Sequence, residues 1–225
     1  MKKLGALLIL IGIVLISMPK ISEYMLIKKS QDVNIAQLTE KDLEKNAKDT
    51  NRSYDASKVN AINVNGVILH RDRADLSKVV GQLVIPSINK NIAIFDGLED
   101  NSLLYGACNM KPNQHMGQGN YAIAGHYHEN DKILFGGLVK VKIGDTIKIT
   151  NKKTIYEYKA IKTMKVKDDR IDLIEDKVID QYDSKPIISL MTCYYNVEGY
   201  RYFVIGQFEK EYPYSKEKML DGISE

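Results

Sequence analysis

Residues 187–205 read IISLMTCYYNVEGYRYFVI. Two β-rich runs, Ile187 to Thr192 and Tyr200 to Ile205, flank a polar stretch that ends in Gly199, the pattern of two strands joined by a turn. Working outward, the same grammar recurs. Thr154 to Ile161 reads as a strand, preceded by a turn at Asn151-Lys152-Lys153. Thr146 to Ile149 and Val139 to Ile143 read as two more, separated by Gly144-Asp145. Tyr121 to Ala124 is a short apolar run that stops at Gly125. Gln82 to Ile88 and Asn91 to Phe95 are β-rich and broken by turn residues. Many short strands with closely spaced turns predict an all-β sandwich or barrel. No internal repeat is present.

The N-terminus has a different character. Met1-Lys2-Lys3 precedes an uncharged run, LGALLILIGIVLISM, over residues 4–18. As a helix it is about 22 Å long, short of a hydrocarbon core of about 30 Å. Continuing to Ile21 brings it near spanning length, with Lys3 and Lys20 able to snorkel to the two interfaces. A signal-peptide core and an uncleaved anchor both fit that length. The sequence after the run, Ser-Met-Pro-Lys-Ile-Ser, lacks a small-x-small cleavage pattern and favours the anchor. Lysines on both flanks leave the charge rule nearly silent on orientation.

Residues 22–75 are polar. Gln37 to Lys45 predicts a helix with i, i+4 charge pairs, and the region reads equally as a stem or a plain linker. Val64 to Leu69 reads as a short strand or turn, and Ala74 to Val80 as a brief helix. The residues from Pro213 onward predict a loose tail or a surface helix. The 32 basic and 29 acidic residues leave a net charge of only +3. No basic stripe interleaved with aromatics appears, which argues against nucleic-acid binding.

The chemistry-bearing residues stand at strand ends. Cys193 closes one run where a turn must begin, and Arg201 opens the next. A hairpin brings the two together, since adjacent strands lie about 4.8 Å apart. A guanidinium beside a thiol favours the nucleophilic thiolate and can donate to an oxyanion. His126 follows Gly125 and can act as acid or base near neutral pH. Each feature alone is commonplace: a small buried cysteine, a structural histidine, an exposed ion-pair arginine. Two other readings stay open at this level. One is a zinc module built from His115, His126, His128 and the cysteines, although their spacing matches no close zinc pattern. The other is a non-enzymatic surface domain stapled by a Cys108–Cys193 disulfide.

Local sequence adds a resemblance. Ser189-Leu190-Met191-Thr192-Cys193 resembles the sortase signature Thr-Leu-x-Thr-Cys, and Arg201 follows eight positions on, opening the last run as the family's arginine does. Ala124-Gly125-His126 after Tyr121-Ala122-Ile123 resembles the family's histidine motif. Ile85-Pro86-Ser87-Ile88, followed by Ile92 and Gly97, is similar to the first strand of a sortase barrel. Four matches in the family's order, over roughly residues 76–212, are specific where one would be weak.

The resemblance, to class A, implies a closed β-barrel with short helices preceded by a transmembrane helix. It implies residues 1–3 in the cytoplasm, an anchor over 4–21, an extracytoplasmic stem over 22–75, a catalytic domain over 76–212 and a tail over 213–225. The implied activity is transpeptidation of a Leu-Pro-x-Thr-Gly-like sorting signal on surface proteins. A thioacyl-enzyme forms and is resolved by an amino group of a peptidoglycan precursor. A sortase of another class, with a different signal or a role in pilin polymerisation, is the alternative within the family. No long lid segment covering the site is evident, which disfavours the pilin type.

In the same reading Cys193 is nucleophile, His126 acid and base, and Arg201 holds substrate or oxyanion. Thr192 supports the oxyanion site, while Ala124 and Met191 line the groove. Cys108 has no catalytic part, and His128 is either a neighbouring site histidine or an exposed loop residue. Ser189 departs from the family's threonine but keeps the hydroxyl. Some class A members bind Ca²⁺ through acidic residues before the histidine strand. Here residues 101–128 contain no Asp or Glu, so no cofactor and no Ca²⁺ dependence are expected. Acidic residues between Asp168 and Asp183 leave room for a weak site.

Overall fold

The computed structural model describes residues 2–33, 35–59, 67, 73–195 and 197–224. Eight strands form a closed barrel: β1 (Val79–Ile85), β2 (Lys90–Phe95), β3 (Gly106–Asn109), β4 (Asn120–Ala124), β5 (Thr146–Thr150), β6 (Thr154–Lys167), β7 (Ile187–Cys193) and β8 (Tyr200–Pro213). Their order around the barrel is β1-β2-β3-β4-β7-β8-β6-β5, with β5 closing on β1. Closure leaves no free sheet edge. β2/β3 and β4/β7 run parallel, and the other neighbours run antiparallel.

Inward side chains alternate along each strand and fill the barrel. Leu83, Ile94, Ile123, Ile147, Leu190 and Val204 are all fully buried there. The expected strands at 91–95, 121–124, 146–149, 154–161, 187–192 and 200–205 lie within observed ones, whereas that at 82–88 is strand only to Ile85 and turns as a 3₁₀ helix over Pro86–Ile88. β3 had no strand signature, being four residues containing Gly106 and Asn109. Its neighbours on both sides impose it. A Cβ at Gly106 would lie 2.5 Å from the Ala93 carbonyl, so only glycine permits this pairing.

Val139 to Ile143 is not a strand. Leu138–Lys140 forms a 3₁₀ turn, because β1 and β6 already occupy both edges of β5. The turn buries Leu138 and Val141, three residues apart, in the barrel core and leaves Ile143 72% exposed. Of the expected brief helix at 74–80, only the 3₁₀ turn Leu76–Lys78 forms before β1 begins. The expected strand at 64–69 lies outside the described residues, apart from Val67.

Outside the barrel, α1 (Lys2–Asp32), α2 (Glu40–Ala47), α3 (Asp100–Leu103) and α4 (Lys216–Leu220) decorate the surface. α2 is the expected stem helix, started by a Thr39–Asp42 capping box. A second apolar cluster joins Leu26 of α1 and Leu43 of α2 to the outer face of the sheet, with Phe95, Cys108 and Ala122. The described residues of this region are therefore packed against the barrel. Asn46 is buried, and its Nδ2 donates to Leu76 O (2.9 Å) and Val79 O (2.8 Å), tying α2 to the start of β1. α4 ends the chain as a surface helix, with Met219 packed against Val84 and Ile155. Asn46→Ala leaves those carbonyls without their donor. Chemical denaturation of the full chain should show a loss of about 1–3 kcal/mol.

Candidate active site

The parallel register of β4 and β7 pairs Ala124 with Met191, and Gly125 N donates to Met191 O (3.0 Å). Both chains therefore leave the barrel at the same pole, one continuing into His126 and the other into Cys193. Across the hairpin Cys193 pairs with Arg201 of β8. An apolar cleft of about 380 Å³ opens at this pole, and His126, Cys193, Arg201, Ala124, Met191 and Thr192 all line it. All six residues singled out in the sequence thus share one cavity.

Local packing explains each position. A Cβ on Gly125 would lie 2.7 Å from the Phe135 ring, so glycine lets that ring pack beneath the histidine. Phe135 N in turn donates to His126 O (3.0 Å). Although part of His126 remains exposed, the atoms crowding its ring strip away hydration. Burial lowers its pKa from 6.5 to about 4, with Asp100 opposing weakly. Burial thus favours the neutral imidazole over its charged form.

Arg201 is oriented by its own strand and a neighbouring loop: Nη1 donates to Tyr200 O (3.1 Å), and Nη2 lies 3.9 Å from Asp168 Oδ2. Thr192 Oγ1 is buried and has no hydrogen-bond partner among the described residues. An unsatisfied hydroxyl in a cleft is a donor held ready for a bound group.

Both cysteines are free thiols. Cys108 on β3 is fully buried, and burial pushes its thiol far up, leaving a poor nucleophile. Cys193 is half-buried and reaches the cleft. The disulfide-stapled reading does not describe this structure. Nor do the histidines converge on a metal. His128 turns to its own loop, where its Nδ1 accepts from Asn130 N (2.9 Å). His115 lines a separate polar cavity with Asp96 and Asn109. Among the described residues no three His, Cys, Asp or Glu side chains gather as a metal site. His70 lies outside the described residues.

The connection between β6 and β7 forms one wall of the cleft through Ile171 and Ile174. It is pinned to β4. Asn120 Nδ2 donates to Leu173 O (2.9 Å) and Glu175 O (3.1 Å), and Ser189 Oγ donates to Asn120 Oδ1 (2.8 Å). Lys111 and Asp176 add an ion pair at 2.5 Å, and Asn120 N donates to the same carboxylate. The hydroxyl retained at Ser189 is thus a structural part of this wall.

Sequence reading missed the opposite wall. Ala56 and Val59, placed in the stem, line the cleft. The segment is held by Leu98 N donating to Ser53 O (2.7 Å) and Tyr54 OH donating to Asp96 (3.0 Å). The one available signal was an aromatic and two apolar residues within an otherwise polar stretch.

Two outcomes follow from this geometry. The folded-state pKa of His126 lies below its unfolded value, so the unfolded chain takes up the proton first as pH falls. The stability held by the neutral ring is complete above pH 6.5 and is lost progressively between 6.5 and about 4. His126→Gln should flatten that part of a thermal-unfolding pH series, beside a His128→Gln control, since burial lowers His128 in the same direction. Lys111→Met should raise KM for a peptide substrate more than it lowers kcat, because it loosens a wall of the cleft and leaves the reacting groups in place.

Residues 83–209 match the sortase domain family model. The chain is 33% identical to Sortase A of Listeria monocytogenes over 217 residues, covering 96% of this chain and 95% of that protein. It is 31% identical to Sortase A of Streptococcus agalactiae over 228 residues, covering 98% and 90%. The crystal structure of the Listeria monocytogenes sortase A superposes with a TM-score of 0.58 at 31% identity, over 65% of this chain and 97% of that one. Sortase C-3 from Streptococcus pneumoniae, 22% identical, shares the fold with a TM-score of 0.56 over 87% and 89%. With a matching family model over the barrel and curated relatives along nearly its whole length, the chain belongs to the sortase family, as a class A cysteine transpeptidase.

Proposed function

We propose that Cys193 cleaves a Leu-Pro-x-Thr-Gly-like signal between Thr and Gly and passes the acyl group to an amine of a peptidoglycan precursor. The observation that carries this reading is the meeting of Cys193, His126 and Arg201 at three strand ends, on an apolar cleft. Sγ of Cys193 attacks the Thr carbonyl carbon, and the thiol proton passes to the neutral imidazole of His126. The imidazolium so formed sits where burial disfavours its charge, so it readily protonates the departing glycine nitrogen. The C–N bond breaks, leaving a thioester on Cys193 and a free amine.

The second half reverses these roles. His126 takes a proton from the incoming amine, which attacks the thioester, and Cys193 leaves as the thiol. Arg201 and the unpartnered Thr192 hydroxyl face the oxygen that gains charge in both halves. Ala124 and Met191 offer apolar surface to the Leu-Pro portion. The acceptor chemistry fits a catalytic domain over 76–212 outside the membrane, a stem over 22–75 and an anchor over 4–21 with residues 1–3 in the cytoplasm. A helix long and apolar enough to cross a bilayer, Lys3–Lys29, supports the anchor.

A quenched Leu-Pro-x-Thr-Gly peptide tests the reading. The full chain should cut it at Thr–Gly and ligate added amine, and mass spectrometry should trap the acyl group on Cys193. Cys193→Ala should abolish both. Arg201→Lys should lower kcat by about 10²–10³-fold, the usual loss on removing an oxyanion donor. Chelators should leave the rate unchanged. Folded protein with a free Cys193 thiol that leaves this peptide intact would move the assignment to another sorting signal.

A further inference from the structure

α1 is one continuous helix with two environments. Up to Ile21 its apolar side chains are bare: Leu8 is 60% exposed, Leu10 60% and Ile16 81%. From Ser22 onward it is docked on the barrel. Ser22 and Leu26 are buried, Lys29 Nζ donates to Tyr105 OH (3.1 Å), and Glu23 accepts from Asn130 Nδ2.

The docked part has a direction. Glu23 sits beside the loop that follows His126, at the cleft pole. About ten residues on, just past the helix end, Ile35 O and Leu38 O accept from Lys152 Nζ in the β5–β6 turn, at the far pole. Read backwards, the helix climbs toward the cleft pole and carries residues 21 to 2 beyond it. Pro19 lies within this helix, which is assigned without a break from Lys2 to Asp32. Glu23 is two residues from Ile21, about 3 Å along the axis, so no spacer separates the bare segment from the barrel.

The pole that meets the bare segment carries an aromatic cluster. Tyr127, three residues before Asn130, packs edge-on against Tyr195 at 5.4 Å. Tyr194 lies 4.8 Å from Tyr195 and 6.0 Å from Tyr202, and Lys165 Nζ stands over Tyr194 and Tyr200 at 4.5 and 4.1 Å. The hairpin tip is open, with Tyr195 52% and Val197 44% exposed next to an exposed Glu198. Amphipathic tyrosines flanked by a lysine are the side chains that settle at a membrane–water boundary.

We propose that the cleft pole of the barrel rests on the lipid surface, with the 194–199 hairpin in the headgroup layer beside the emerging helix. This rests on the reading of residues 4–21 as an anchor. The docked helix fixes the orientation and the tyrosines supply the contact, so the cleft mouth stands at the height of lipid-linked amines rather than in bulk solvent.

The chain contains no tryptophan, so single reporters in the full chain, reconstituted in nanodiscs, test this directly. Tyr195→Trp and Val197→Trp report the hairpin, Lys153→Trp the far pole and Ile9→Trp the anchor. Lipids carry a nitroxide either at the headgroup or deep in the acyl chain. Deep quenching of Ile9→Trp, headgroup quenching of both hairpin reporters and an unquenched Lys153→Trp are expected. Hairpin reporters quenched no more than Lys153→Trp, with Ile9→Trp still quenched, overturn the orientation alone. An unquenched Ile9→Trp overturns the anchor and the orientation with it. A hairpin emission that follows protein density and ignores the quencher assigns the contact to a second copy, and also overturns the proposal.

Discussion

The parallel pairing of β4 with β7 is the contact on which the chemistry depends. Ala124 stands opposite Met191, so a strand that ends in histidine and one that ends in cysteine finish side by side. Antiparallel neighbours would have sent the two ends to opposite poles. Parallel strands require a long crossover, and the 62 residues 125–186 supply it. That crossover contains the β5–β6 hairpin, which closes the barrel, and the pinned segment that walls the cleft. One topological requirement thus yields both the meeting of the reacting groups and the cavity around them.

The electrostatics suit this arrangement. Crowding around His126 disfavours charge on its ring. The arginine opposite Cys193 supplies permanent positive charge and is oriented by Tyr200 O and Asp168 rather than by packing alone. The cleft walls are held by hydrogen bonds to main-chain carbonyls. An ion pair such as Lys111–Asp176, exposed on its acidic side, contributes little energy. Its value is to hold the 168–186 segment at one place on β4.

Legibility in the sequence followed how local each signal was. The 187–205 hairpin could be read outright, because its two runs are β-rich and its turn ends in glycine, and the nearness of Cys193 to Arg201 came with it; their direct pairing is the structure's addition. The proximity of His126 could not be read from spacing, since 66 residues separate it from Cys193; family resemblance carried that step. β3 was invisible because pairing, not propensity, makes it a strand. Val139 to Ile143 misled because its apolar residues alternate in sequence, whereas the 3₁₀ turn there buries Leu138 and Val141 instead. The stem's share in the cleft was hidden because Ala56 and Val59 follow no period, and only the tertiary path of the chain brings them over the sheet.

The two thiols differ in a way that has a practical use. Cys108 is sealed inside packed structure, and Cys193 opens on the cleft. An alkylating reagent applied to the folded protein therefore counts competent sites one per chain, and the same reagent after denaturation counts total chains at two apiece. The ratio of those readings is an internal gauge of how much of any preparation is intact, one that needs neither a substrate nor knowledge of the sorting signal.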